Sequence, residues 1–159
     1  MADFLWSFWF FSLLGWLLER IFAALTAYTT KIKKTTFRAP TRREPLCPVY
    51  GLGLTAVLTL PLPLLSGWRL YLSGTVVTTA VEYAYHWWGE TFLGVRFWDY
   101  TGLPGNLRGR VCLPFSLSWG LLTVPAVTRV APLLELLERR IPACITWLCL
   151  MAFTADAVC

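Results

Sequence analysis

Between Leu70 and Phe92 the chain reads LYLSGTVVTTAVEYAYHWWGETF. A helix needs about 20 mostly apolar residues to cross the hydrocarbon core of a bilayer. This run is long enough, and its only charges at neutral pH are Glu82 and Glu90. Glu82 stands about twelve residues in, or about 18 Å along a helix axis, close to a bilayer midplane. An ionised carboxylate at that depth costs about 3 kcal/mol on insertion scales. It must therefore be neutral, paired or wetted.

Four other runs have the same character. They are Phe4 to Tyr28, interrupted by Glu19 and Arg20; Cys47 to Ser66 and Val111 to Thr128, both without charge; and Ile141 to the C-terminus, with Asp156 near its end. Composition agrees. Of the 159 residues 57% are hydrophobic and 14% charged, and mean hydropathy is +0.58. A soluble domain carries nearer 25% charge. These values exclude a disordered tail or a secreted disulfide scaffold and argue against a soluble enzyme. The five cysteines are odd in number, have no CxxC spacing and fall mostly in apolar runs, so neither a disulfide framework nor a metal cluster is expected. The first apolar run lacks a small-residue cleavage site and continues into Glu19 and Arg20, so it reads as a retained helix.

The expected fold is all-α: a single transmembrane domain over 1–159, a polytopic bundle of about five membrane helices (about 4–28, 47–66, 70–92, 111–128 and 141–158). Segment 129–140, with Arg129, Glu135, Glu138, Arg139 and Arg140 among leucines, reads as a short amphipathic helix at the interface. Pro61 and Pro63 should break the second helix near its end, and Pro125 should kink or end the fourth. Ser66-Gly67-Trp68-Arg69 reads as a tight turn. No internal repeat is visible.

Loops 28–46 and 93–110 hold six and three Lys or Arg residues; the opposite pair, at Arg69 and 129–140, holds one and three. The positive-inside rule then places the N-terminus outside and the C-terminus inside the cytoplasmic (inner) membrane. With Phe37 its only aromatic residue, the basic run Lys31–Arg43 reads as a cytoplasmic loop touching anionic lipid rather than a nucleic-acid site.

Glu82, His86 and Glu90 recur every four residues and share one helix face. Such a stripe can pass protons or ligate a divalent cation, but no second motif completes a metal site, and His86 can equally be a hydrogen-bond donor to Glu82 or Glu90. Glu19 and Arg20 are adjacent and so must find separate partners. Phe97-Trp98-Asp99-Tyr100 followed by Leu103-Pro104-Gly105-Asn106-Leu107-Arg108-Gly109-Arg110 forms a second cluster. Trp98 and Tyr100 suit an interfacial belt, Asn106 can cap a helix, and Arg108 and Arg110 can pair with Asp99 or hold an anion. GxxxxGK, HExxH and GxSxG are absent, which disfavours nucleotide hydrolysis and enzyme chemistry of those kinds.

Gly15-Trp16 with Glu19, Cys47-Pro48-Val49-Tyr50-Gly51-Leu52-Gly53, Glu82-Tyr83 with Glu90 and Phe92, and Trp98-Asp99-Tyr100 with Asn106-Leu107-Arg108-Gly109-Arg110-Val111-Cys112-Leu113 and Ser118-Trp119-Gly120 stand in order along the chain. Together they resemble the CmpB-like ABC-transporter type IV permeases, a family of small bacterial membrane proteins. Two positions depart from its pattern: Glu44-Pro45 stands where Gly-Pro is usual, and His86 lies outside it. The resemblance implies an integral membrane protein, site residues Glu19, Glu82, Glu90, Asp99, Asn106 and Arg110, an acid at Asp156, and a separate ATPase subunit if the family label is literal.

The expectation is a small transporter or channel-like protein. Glu19, Glu82, Glu90 and Tyr50 would line a substrate or ion pathway, and Trp98, Asp99, Tyr100, Asn106, Arg108 and Arg110 would form a cytoplasmic-face cluster. A small polar or cationic solute is the expected cargo. The expected partners are the lipid bilayer, a second copy in a C2 homodimer and, if the family label is literal, a separate membrane or ATPase subunit, with no nucleic acid, metal or cofactor. The alternatives are a non-transporting assembly partner, or an enzyme acting on a lipid-soluble substrate.

Overall fold

The computed structural model describes residues 2–29, 46–61, 66–142, 144–149 and 151. Its helices are α1 (Ala2–Thr29), α2 (Pro48–Thr59), α3 (Gly67–Trp88), α4 (Leu113–Pro125) and α5 (Ala131–Glu138); residues 144–149 are helical as well. The described residues form no strand, only a single bridge between Leu107 and Val111. Asp156 and the basic run 31–43 lie outside the described residues.

Prolines set several ends. Pro48 opens α2 at a position where its missing N–H costs nothing. Pro61 forces Leu60 out of the helical region, to φ −88° and ψ 162°, so α2 closes at Thr59. Among the described residues of the run expected over 47–66, the helix covers the 12 of Pro48–Thr59. The expected turn at 66–69 is instead the start of α3, with Arg69 over the Trp68 ring at 5.7 Å. At the other end, α3 widens into a π-helical turn, Gly89–Leu93, closed by Gly94 in the left-handed region at φ 64°.

The largest correction concerns Pro125. It neither ends the fourth helix nor frees 129–140 as a separate interfacial element. A π-helical turn over Ala126–Val130 absorbs the proline and carries α4 directly into α5. The physical reason is local: Pro125 cannot donate to the Leu121 carbonyl and its ring crowds that carbonyl, and widening the next turn relieves both. By length and apolarity two helical stretches can cross a membrane, Phe4–Ala24 and Leu113–Glu138.

The helices alternate in direction. α2 packs between α1 and α3, α3 packs along α4, and α5 returns to α1. Two seams are very close. On one, Gly15 faces the Tyr50 ring and Gly51 faces Ser12; on the other, Gly74 faces Thr123 and Gly120 faces Thr75. Small residues permit such backbone approach, as in membrane helix pairs. Phe11, Leu54 and Ala126 form one core cluster, and Val57, Leu70 and Val127 another.

Beside these apolar clusters the bundle buries several polar side chains and exposes many large apolar ones. The buried stripe of α3 runs Leu70, Gly74, Thr78, Glu82, His86, while Leu72, Val76, Trp87 and Trp88 of the same helix are exposed. Leu13, Leu17 and Ile21 of α1 and Leu117, Leu121, Leu133 and Leu136 farther on are exposed too. Inside, Ser12, Thr78 and Thr123 satisfy their hydroxyls on the carbonyl four residues earlier.

Candidate functional site

The second half of α1, the start of α2, the second half of α3 and the start of α4 meet at one end of the bundle, around a cavity of about 340 Å³. Glu19, Tyr50, Glu82, Trp98, Tyr100 and Trp119 line it together with Leu18, Phe22, Phe115 and Leu121. Three of the four residues expected on the pathway therefore share one space. The helical register explains it: Glu19 lies four residues after Gly15 on the packed face of α1, and Glu82 continues the buried stripe of α3.

Glu82 is 3% exposed. Tyr100 Oη donates to its Oε1 at 3.2 Å, and the Trp119 indole reaches the same carboxylate. Oε2 has no hydrogen bond of regular geometry. Glu19 accepts a weak bond from Cys47 Sγ at 3.5 Å. Arg20, its neighbour in sequence, faces outward over the Trp16 ring at 5.2 Å, which separates the two charges as adjacency requires. Tyr50 and Trp119 touch at 4.5 Å between ring centroids, and Tyr100 stacks on Phe115 at 4.9 Å.

Glu90 does not join this space, although it lies on the same face of the chain as Glu82. It accepts from Arg110 Nε at 2.7 Å and from Arg96 Nε at 2.5 Å. Arg110 also donates to Tyr83 Oη at 2.8 Å and lies over its ring. Of the two options open to Arg110, pairing with Asp99 or holding an anion, the described contacts show neither: it pairs with Glu90, and Arg96 stands 3.8 Å from Asp99. His86 bonds neither glutamate: its Nε2 donates to the Trp98 carbonyl at 2.8 Å, and its Nδ1 stands 3.7 Å from Glu90. A carbonyl can only accept, so Nε2 is the donor in that bond. Trp98 in turn donates from Nε1 to the Arg110 carbonyl at 2.7 Å. The Glu90 cluster straps the 94–112 loop to the end of α3 and thereby sets Trp98 and Tyr100 over the cavity.

Asp99 and Asn106 shape that loop from within. Asp99 accepts from the hydroxyl and the backbone N–H of Thr101, which hold its carboxyl below the usual carboxylate range, with the Arg96 charge adding to the effect. Asn106 is not a helix cap: it donates to the Thr101 and Leu103 carbonyls at 3.0 and 2.9 Å and accepts from Gly109 N–H at 3.3 Å. Gly109, at φ 71°, leaves no room for a side chain beside Asp99 and Thr101. Arg108 is exposed with φ 55°, outside both the strap and the cavity. Asn106→Ala removes all three loop bonds and is expected to cost about 1 to 2 kcal/mol, read as a lower melting temperature with the helix content unchanged.

Trp119 and Phe115 were not among the expected site residues. Trp119 stands in the Ser118-Trp119-Gly120 motif of the resemblance, but inside the uncharged run 111–128 an aromatic residue reads as packing, and Phe115 carries no such sign. Among the described residues, no three His, Cys, Asp or Glu side chains converge as a metal would require.

The fold and cavity define a class: an all-helical bundle with an apolar exterior, two stretches able to cross a membrane, and an acidic, aromatic-walled interior. Within that class, the chain belongs to the family described as Putative ABC-transporter type IV, which matches residues 6–159. Membership is consistent with a transport role and with a further membrane or ATPase partner. No curated protein and no solved structure matches the chain.

Proposed function

We propose that the protein is a polytopic inner-membrane transporter or channel-like subunit, working as an oligomer and most simply as a homodimer, in which Glu82 is the central carboxylate of a cation or proton pathway. One observation carries the reading: Glu19, Tyr50 and Glu82 arrive from three different helices at one cavity, inside a bundle whose outer face is apolar. A carboxylate buried inside such a bundle is costly unless it is neutral, paired or wetted, and acids without a basic partner favour a positive species. Glu90 has a different role here, holding the loop that covers the site. Because α1 ends and α2 begins at the cavity's end of the bundle, the positive-inside rule sets that end in the cytoplasm.

The test is a melting-shift screen of the purified protein in detergent, with sodium, potassium, magnesium and small polar solutes over a pH series. Glu82→Gln keeps the shape and still accepts from Tyr100, so it should melt within a few degrees of wild type while losing every ligand-dependent shift. Retention of those shifts in the variant removes Glu82 from the site. An absence of any response, combined with a variant that melts far lower, makes Glu82 a structural group and supports the assembly-partner alternative.

A further inference from the structure

The wall of the cavity is selective among cations, an inference that rests on the proposed function of the same site. We propose that it receives a substituted ammonium group, carried by a small organic cation or by a lipid headgroup. Three observations converge. The Glu82 carboxylate is almost fully buried, lines the space and has one oxygen without a regular hydrogen bond, so a donor or charge is wanted there. Glu19 supplies a second carboxylate, and the described lining includes no Lys, Arg or His, so an anion is repelled. Aromatic rings make up much of the remaining wall, with Tyr50 and Trp119 in contact and Trp98 beside Tyr100, among Val49, Ser118 and Leu122.

Hard metal cations are matched by six or more oxygens and gain little from such a wall. An alkylated ammonium gains from both features, because its diffuse charge is attracted to ring faces and neutralised by a carboxylate. The volume, about 340 Å³, sits near the lower end of small-molecule sites, which begin at about 300 Å³. That size suits choline or a comparable amine rather than a large metabolite. Leu18, Phe22 and Leu121 are exposed at the rim, and they offer an acyl chain an apolar path if the ammonium belongs to a lipid.

The experiment is calorimetric titration of choline chloride into the full chain in maltoside detergent, with sodium chloride as the ionic-strength control. Melting in nanodiscs of phosphatidylcholine or phosphatidylglycerol is measured in parallel. Saturable choline binding is expected, weakened at least tenfold by Glu82→Gln and by Trp119→Leu and unchanged by Arg108→Ala. Glu19→Gln serves where either site variant fails to fold. Stabilisation by phosphatidylcholine over phosphatidylglycerol, dependent on Glu82 and without free-choline binding, assigns the group to a lipid. Glu82-dependent stabilisation by sodium, potassium or magnesium with no response to choline or phosphatidylcholine overturns this inference and leaves the pathway reading standing. No response to any of them, with Glu82→Gln melting far below wild type, overturns both.

Discussion

Gly120→Val is expected to open the seam between α3 and α4 and to destabilise the bundle by about 2 to 3 kcal/mol, the upper range for overpacking. A Cβ at position 120 would collide with Thr75 Oγ1 and stand 2.8 Å from the Tyr71 ring. Neither neighbour is free to retreat. Thr75 donates to the Tyr71 carbonyl of its own helix at 2.8 Å, and Tyr71 Oη donates across to the Leu117 carbonyl of α4 at 3.3 Å, so both side chains are held in place beside the glycine. Exchanging glycine for another residue in a helix returns up to about 1 kcal/mol of backbone entropy, least for a β-branched one, and this does not offset the clash. Thermal melting in detergent reads the effect. Gly102→Val, where a Cβ meets nothing within 4 Å, should leave the melting temperature nearly unchanged. Gly120→Ala should cost less than Gly120→Val and recover partly with Thr75→Ala. A Gly120→Val protein as stable as wild type would mean that the seam is not closed at this residue.

The second large effect is expected at Arg110. Its guanidinium serves Glu90 and Tyr83 together, while its carbonyl receives the Trp98 indole. Arg110→Ala leaves Glu90 with Arg96 alone, and Arg96 is 55% exposed and weakly held by comparison. The strap loosens, Trp98 and Tyr100 lose their setting, and protease cleavage within 94–112 should appear where wild type resists it. Arg110→Lys should restore little, because a single ammonium cannot reproduce the planar fork that reaches both partners. Arg108→Ala, in the same loop but outside the strap, should behave as wild type. Equal protease resistance of Arg110→Ala and wild type would show that the loop is held by something else.

Much of this organisation is legible in the residues. The i, i+4 spacing of Glu82 and His86 places both on one face, and that face is the buried one. The adjacency of Glu19 and Arg20 requires opposite orientations, and they have them. What period alone cannot provide is the depth at which a stripe leaves the cavity. Glu90 continues the spacing, yet α3 has turned into a π-helical turn by then, and two arginines from a later loop are close enough to claim it. That exchange depends on contacts between residues six and twenty positions apart, and no local pattern encodes it. The role of Trp119, although it stands in a quoted motif, was not legible for the complementary reason: in an apolar run an aromatic residue reads as packing until its neighbours are known. Pro125 misled because proline usually ends a helix in isolation, whereas here neighbouring helices hold both halves.

The π-helical turn after Pro125 has a consequence for how one rod serves two partners. Each residue of a regular helix advances the side-chain direction by about 100°, so a straight continuation of α4 would keep a single stripe facing α3 along its whole length. The wider turn accommodates one residue more than regular winding would and shifts the phase of everything after it. Trp119, Gly120 and Thr123 before the turn look toward α3, and α5 after it, with Ala131 and Leu134 buried, closes on α1. The proline thus converts one long helix into two dissimilar faces and lets the last strongly packed element seal the bundle against its first.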